Sequence, residues 1–257
     1  MNPVSSQPQS VSPAFRRLLQ VTAILAFTLL VLGVILRVSD VSNTCLDWPT
    51  CSGSLVESID SPAFLPYAHR LLAALTGIGL VASLVYALRH YRGVRWLVNP
   101  LAAAVVLMAA QIFLGRMIAV QGEQSFLSAL HFALALAVLG LSVLASVLAF
   151  LFRERDQASL DASSVREVNL NFKSPFARFS LLTLAAVMLL FVSGTLVSAS
   201  GATAACQGWP LCGGGIPGDS LGWINLVHRL ITLGTGMMVA GLLVQAWRTQ
   251  RLSLIHI

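Results

Sequence analysis

The sequence predicts an all-α integral membrane protein built from two related units of transmembrane helices. Three observations support this fold class. Of the 257 residues, 56% are hydrophobic and only 10% are charged; six long apolar runs follow one another; and one cysteine–histidine pattern occurs twice. A soluble domain carries about 25% charged residues, so most of the surface of this chain must face lipid. The net charge of +6 does not indicate a nucleic-acid-binding protein, because the basic residues lie in short clusters between the apolar runs.

Each apolar run is long enough to form a helix that crosses a bilayer. The runs contain about 19–27 residues. At about 1.5 Å per residue, a helix of that length spans roughly 30 Å or more. Helices are required because lipid offers the backbone no hydrogen-bond partner. The six predicted helices cover residues 18–36, 64–88, 97–120, 126–152, 179–197 and 223–247.

The charges of the connections predict a multi-pass topology in the cell membrane. Basic residues cluster before the first run and after the second, fourth and sixth, whereas the other connections carry mainly acidic residues. By the positive-inside rule, the N-terminus is cytoplasmic and the odd-numbered connections, which hold all four cysteines, lie outside. The basic clusters contain Arg16 and Arg17; Arg89, Arg92 and Arg95; Arg153, Arg155, Arg166, Lys173 and Arg178; and Arg248 and Arg251.

The six runs fall into two unequal units. Residues 1–152 form a first unit of four helices, and residues 153–178 form a polar cytoplasmic linker. Residues 179–251 supply the first two helices of a second unit. We therefore expect the second unit to be incomplete, with six helices present of an expected eight. Residues 252–257 look like the translated end of a transposon adaptor, so we expect a non-native tail in which His256 has no function.

The two units share a motif with closely matched spacing. The pattern C-x-x-W-P-x-C-x-G occurs at residues 45–53 and again 161 residues later at 206–214. Each copy is followed by a His-Arg-Leu triplet, beginning at His69 and His228, 159 residues apart. A glycine upstream of each motif also keeps the 161-residue offset. Such agreement indicates an internal repeat, a common device of membrane proteins.

All four cysteines belong to the repeated motif, as the pairs Cys45 with Cys51 and Cys206 with Cys212. An oxidising outer compartment favours disulfides. A bridge over so short a loop stabilises it by roughly 2 kcal/mol on the chain-entropy model. The pairs either staple their loops or act as redox centres that pass electrons to a nearby group. Zinc binding is less favoured, because the pairs lack C-x-x-C spacing.

Three histidines lie in the outer third of predicted helices, where ionisable side chains are rare and usually functional. We predict that His69 and His131, on two helices of one bundle, clamp one haem iron, and that His228 binds a second. Arg70 and Arg229 directly follow two of these histidines. They either snorkel to water or pair with haem propionates as cofactor-binding residues.

Other polar residues near the helix ends are weaker candidates. Arg37 and Arg116 lie near outer helix ends, where they could also meet an anionic group. His90 lies between Arg89 and Arg92 at the cytoplasmic boundary, and we interpret it as an interfacial residue without a functional role.

Taken together, these residues resemble the haem A synthase family. The stretch from Gly33 through the motif at 45–51 resembles the first outer loop of that family. His69-Arg70 resembles its second-helix histidine, and residues 111–131 resemble its third and fourth helices. The segment 206–229 resembles its second half, so the resemblance covers nearly the whole chain. The family commonly carries a glutamate three residues before the second-helix histidine, where this chain has Pro66.

The resemblance implies a function and its cofactors. The family has eight helices in two halves and converts haem O to haem A by oxidising a ring methyl to a formyl group. The first half would hold the substrate haem O between His69 and His131, which would be the catalytic pair, and the second half would hold a haem b cofactor through His228. The outer cysteines would act in redox or haem transfer. Haem O synthase is the implied partner, terminal oxidases would receive the product, and a homo-oligomer is left open.

Three rival functions fit part of the pattern. A membrane thiol–disulfide oxidoreductase would use the two cysteine pairs but would not need the repeated His-Arg. A di-haem b-type electron-transfer protein would bind both haems without making haem A. A transporter would explain the repeat alone, and the sequence lacks its broken-helix signature beyond scattered glycines.

Overall fold

A computed structural model of the chain describes most of its residues. The described ranges are 11–39, 41, 44–51, 53, 56–122, 124–158, 174–208, 211–213 and 215–254, with only the helical backbone for 151–158 and 249–254. Most of the predicted linker, at 159–173, and the end of the predicted tail, at 255–257, lie outside them.

The described part of the chain is all-helical, as predicted. Six helices are long and apolar enough to cross a membrane. Each predicted apolar run lies within one of them, which confirms the fold class. The helices are α1 (Pro13–Val38), α2 (Phe64–His90), α3 (Arg95–Gln121), α4 (Ser125–Ala158), α5 (Pro175–Ser200), the short α6 (Ala202–Ala205) and α7 (Ser220–Leu254).

The first helices of the two units begin with the same local device. Ser12 before α1 and Ser174 before α5 each accept a hydrogen bond from the backbone N–H three residues later. Pro13 and Pro175 follow at the first helical position, where a missing N–H costs nothing. The internal repeat therefore extends to the helix caps.

Polar and apolar side chains are distributed as expected for a chain surrounded by lipid. Thr22 and Thr76 are buried, and each hydroxyl donates to a carbonyl one turn earlier on its own helix. Large apolar side chains face outward instead, with Ile24, Ile78 and Val106 each more than 60% exposed. In water such exposure would be costly, whereas a hydrocarbon solvent favours it.

Aromatic side chains fix the beginning of α1 against the end of α2. The Phe15 ring stacks on that of Tyr86 with centroids 4.7 Å apart, and the Ser12 backbone N–H donates to the hydroxyl of Tyr91 at 2.9 Å. His90 stacks on Tyr86 at 4.4 Å. Aromatic clusters of this kind are typical of the membrane–water interface.

The chain divides into two compact units. The first comprises Met1–Glu123 with Leu134–Arg166, and the second comprises Gln124–Ala133 with Glu167–Ile257. Helix α1 packs against α2 in the first unit, and α5 packs against α7 in the second. The beginning of α4, which carries His131, belongs to the second unit. The repeat seen in the sequence is therefore also a repeat of helix packing.

Candidate functional site

In the first unit, His69 on α2 lies against a glycine of α1. A Cβ atom added at Gly33 would lie 3.1 Å from Cε1 and 3.6 Å from Nδ1 of His69. Contacts that short are tighter than ordinary van der Waals packing, so the imidazole occupies the space that any larger residue would fill. Gly33 therefore sets where the edge of the His69 ring can lie.

The second unit repeats this arrangement. A Cβ atom at Gly194 on α5 would lie 3.2 Å from Cε1 and 3.7 Å from Nε2 of His228 on α7. Both candidate ligands thus lie against a glycine of a neighbouring helix, α1 for His69 and α5 for His228. The matched glycine offset in the sequence is explained by this contact.

The second histidine has an additional hydrogen bond. Nδ1 of His228 lies 2.8 Å from the hydroxyl oxygen of Ser193, which in turn lies 2.9 Å from the carbonyl oxygen of Leu190. A hydrogen bond to one ring nitrogen fixes the orientation of the imidazole, and histidines that ligate metals in proteins usually have such a bond. Ser193 was not singled out by the sequence pattern. Its position immediately before the repeated Gly194 was the only available signal.

Arg70 binds the first cysteine loop (residues 45–51). Its guanidinium donates to the carbonyl oxygens of Cys45 at 2.7 Å and Thr50 at 3.1 Å, and also to that of Asp47. A further contact joins it to the sulfur of Cys51 at 3.9 Å. The guanidinium thus donates hydrogen bonds to several carbonyl oxygens of the loop, which are not part of a helix or strand.

Arg229 binds the second cysteine loop (residues 206–212) in the same way. It donates to the carbonyl oxygen of Cys206 at 2.8 Å and to that of Gly208. Its Nε donates to Asn225 at 2.8 Å, and Asn225 donates to the carbonyl oxygen of Ala202 at 2.9 Å. The two arginines therefore have a structural task in the loops. Their pairing with haem propionates stays a prediction.

The two units differ three residues before the histidine. Asn225 occupies that position in the second unit and supports Arg229, whereas the first unit has Pro66 there. Pro66 lies in the first turn of α2, where a proline is tolerated because the first N–H groups have no helical acceptor. The supporting role of Asn225 could have been inferred from its spacing of one helical turn from Arg229.

Both predicted cysteine pairs form disulfides. Cys45 bonds to Cys51 and Cys206 to Cys212, with Cα atoms 5.0 Å and 4.6 Å apart. Cys51 is fully buried and packs with Ala63, so a partner thiol has no direct access to it. This burial favours loop stapling over exchange with another protein.

A second arginine contacts the first cysteine loop from another helix. The guanidinium of Arg116, near the end of α3, lies 5.5 Å from the ring centroid of Trp48. Cation–π contacts at this distance contribute about 0.5–1 kcal/mol when exposed. The loop is thereby connected to α3 as well as to α2.

His131 lies near the beginning of α4, in the second unit. Its Nδ1 is buried and has no hydrogen-bond partner in the described part of the chain. A buried ring nitrogen without a hydrogen-bond partner is energetically unfavourable unless another group binds to the imidazole. The convergence of His69 and His131 stays a prediction, because the two belong to different units.

These features fit a haem better than a free metal ion. In the described residues, no group of three or more histidine, cysteine, aspartate or glutamate side chains comes together. A haem iron needs only axial ligands, since the porphyrin supplies the other four. An apolar groove lies beside Ser193 between α5 and α7. That groove is lined by Ser193, Leu196, Trp223, Ile224 and Val227.

We expect Arg70→Gln to loosen the first cysteine loop. The substitution removes charge-assisted hydrogen bonds to the loop carbonyls, each contributing about 1.5–3 kcal/mol when sheltered and less at this half-buried position. The Cys45–Cys51 bridge should then be reduced about tenfold faster by a soluble thiol, as measured by alkylation and mass spectrometry. Arg92→Gln, exposed at the opposite end of α2, is the matched control. Equal reduction rates in both variants would contradict the assigned role of Arg70.

Comparisons with known proteins relate the chain to one family. Residues 56–222 match the COX15-CtaA family model, described as cytochrome oxidase assembly protein. The chain is 27% identical over 237 residues to the Heme A synthase of Alkalihalophilus pseudofirmus, covering 90% of this chain and 75% of the relative. It is 28% identical over 219 residues to that of Symbiobacterium thermophilum, covering 84% and 69%.

A third relative is covered less completely. The Heme A synthase of Geobacillus kaustophilus is 27% identical over 207 residues, covering 79% of this chain and 62% of that relative's length. The family model extends over more than half of the chain, up to the beginning of α7, and includes His69 and His131 but not His228. With this match, and with six helices in the described residues that are long and apolar enough to cross a membrane, the chain belongs to the COX15-CtaA family of cytochrome oxidase assembly proteins.

Proposed function

We propose that this chain is a haem A synthase, which oxidises a ring methyl of haem O to a formyl group and supplies haem A to a terminal oxidase. The proposal rests on family membership and on relatives that are named Heme A synthase. One structural observation carries it: His69 lies against Gly33 of α1, and His228 lies against Gly194 of α5 in the same way. The duplicated arrangement suits two haems with different tasks.

The reaction is a four-electron oxidation. Conversion of a methyl to a formyl group replaces two hydrogen atoms by one oxygen atom. When water supplies that oxygen atom, four protons and four electrons are released, so the reaction needs an electron acceptor. Bound haem iron supplies the redox chemistry, while the protein contributes orientation, axial ligands and a dry pocket. We assign His69 and His131 to the substrate haem O and His228 to a haem b cofactor.

The remaining residues hold these ligands in place. Arg70 and Arg229 attach the cysteine loops to the helices that carry His69 and His228. We propose that both loops lie outside and that the N-terminus is cytoplasmic, on the evidence of the charged connections. A haem O synthase in the same membrane is the proposed source of substrate.

Co-expression tests the proposed function directly. The chain is produced together with a haem O synthase in a host that makes no haem A, and haems are extracted from the membranes and separated by reversed-phase chromatography. We expect a haem A peak that is absent with His69→Ala at equal protein level. Haem O alone, despite haem bound to the purified chain, would favour a di-haem electron-transfer protein. A purified chain without a pyridine haemochrome spectrum would favour the thiol–disulfide oxidoreductase.

A further inference from the structure

We propose that Ser193 is a positioning residue that holds His228 with its proton on Nδ1, so that Nε2 is ready to ligate a haem iron. The inference rests on the proposed function, in which His228 binds the cofactor haem. It assigns a task to a residue outside the repeated motif.

The hydrogen bonds around Ser193 determine this tautomer. The Ser193 hydroxyl oxygen lies 2.9 Å from the carbonyl oxygen of Leu190 and 2.8 Å from Nδ1 of His228. A carbonyl only accepts, so the single hydroxyl proton of Ser193 goes to Leu190. The hydroxyl oxygen then accepts from His228, which requires a proton on Nδ1. Because neutral imidazole carries one ring proton, Nε2 keeps its lone pair.

The opposite arrangement makes fewer hydrogen bonds. If Ser193 donated to Nδ1 of His228, its bond to Leu190 would be lost and the ring proton would lie on Nε2. That proton would block ligation through Nε2. In a membrane interior, where water is scarce, the arrangement that satisfies both the hydroxyl and the ring is favoured.

Ser193 and Gly194 together fix the ring in two respects. Gly194 limits the position of its Cε1 edge, because a Cβ there would lie 3.2 Å away. Ser193 determines which ring nitrogen carries the proton. Two consecutive residues of α5 thus set both the orientation and the protonation pattern of one histidine on α7.

The first unit has no serine at the equivalent position. Leu32 precedes Gly33 as Ser193 precedes Gly194, and leucine brings no hydroxyl. A cofactor that stays bound gains from a ligand fixed in the ligating tautomer. A substrate that must leave after oxidation gains less. The difference between Leu32 and Ser193 therefore matches the different tasks assigned to the two haems.

The first test measures the tautomer without haem. Long-range proton–nitrogen correlation spectra of the full chain, labelled with ¹⁵N-histidine in detergent micelles, distinguish the protonated from the bare ring nitrogen. The His228 signals are assigned by their loss in His228→Gln. We expect Nδ1 to be protonated in the unsubstituted chain, and Ser193→Ala to shift the population toward a proton on Nε2.

Two variants control for general effects on α5. Ser180→Ala removes a hydroxyl that donates to the Phe176 carbonyl at 2.9 Å on the same helix, and it should leave the His228 signals unchanged. Ser193→Thr keeps a hydroxyl at the same place and should preserve the tautomer. Together they separate loss of the histidine contact from loss of any hydroxyl on α5.

The second test measures how firmly haem is held. Haem loss to excess apomyoglobin is followed by absorbance for each variant. We expect Ser193→Ala to accelerate the slow phase by about tenfold, as removal of a histidine's outer partner typically weakens metal binding about 10–100-fold. The midpoint potential of that haem should also rise, because the ring loses the partner that makes it more electron-donating. Ser193→Thr and Ser180→Ala should behave as the unsubstituted chain does.

The outcomes distinguish this proposal from the proposed function. An unchanged tautomer in Ser193→Ala, or an equal change in Ser180→Ala, overturns the role of Ser193. If the chain binds no haem at all, the proposed function fails, whereas the spectra still decide the tautomer. If haem binds and the tautomer shifts as expected, but loss of haem is not accelerated, the hydrogen bond does not support ligation and the proposal is also wrong.

Discussion

Substitution of His228 by alanine is expected to remove the cofactor haem from the second unit. Loss of a residue that hydrogen-bonds to a metal ligand weakens metal binding by up to roughly 100-fold. Loss of the axial ligand itself should therefore weaken haem binding by at least that factor. The His228 ring lies against Gly194 and is hydrogen-bonded to Ser193, so alanine would remove a side chain whose position both residues fix. The number of haems per purified chain, measured as the pyridine haemochrome, should fall by one.

Two further histidine variants make this result specific. His90→Ala is the control, since His90 stacks on Tyr86 at the far end of α2, and haem content should be unchanged. His69→Ala should abolish conversion of haem O while the cofactor haem is retained. Unchanged haem content in His228→Ala would contradict the assignment of its ligand role.

Substitution of Gly194 by alanine is expected to displace the His228 ring. The added methyl would lie 3.2 Å from Cε1, and helix backbones cannot separate freely in a packed pair. Overpacking of this kind costs about 1–3 kcal/mol, so haem affinity should fall by about tenfold or more. The same methyl at Gly33, 3.1 Å from Cε1 of His69, should impair binding of the substrate haem instead.

Gly234 provides the matched control on α7. A Cβ there meets no atom of the described residues within 4 Å, so alanine should remove only the flexibility of glycine. Gly234→Ala is therefore expected to leave haem binding intact and to stabilise the helix by about 0.5–1 kcal/mol. Haem titration and thermal unfolding in detergent measure both effects. Equal affinity in Gly194→Ala and Gly234→Ala would show that the glycine–histidine contact is not required.

The helices were predictable because the membrane imposes a simple rule. A segment that crosses the bilayer must form its backbone hydrogen bonds internally, as a helix does. The hydrophobicity and length of the apolar runs were therefore enough to locate the six predicted spans. The repeat was also visible, since cysteine and histidine are rare residues whose spacing stands out. The contact of Gly33 with His69 was not predictable, because it joins two helices whose relative rotation the pattern leaves open.

The role of the arginines shows why local reasoning was incomplete. From sequence, Arg70 was expected either to reach water or to pair with haem propionates. The structure shows its guanidinium among carbonyl oxygens of the first cysteine loop. Which acceptor an arginine finds depends on how a loop folds back over the helix, and no periodic pattern encodes that path. Ser193 was missed for a related reason, since a serine in a membrane helix usually bonds to its own backbone.

His69 and Arg70 are neighbours on one turn of α2, yet they contact different parts of the first unit. The imidazole lies against α1, whereas the guanidinium holds the cysteine loop. A tilt of this helical turn must therefore move both groups together. Cleavage of the loop backbone or reduction of its disulfide would therefore shift His69, the proposed haem ligand, through the single peptide bond that joins it to Arg70.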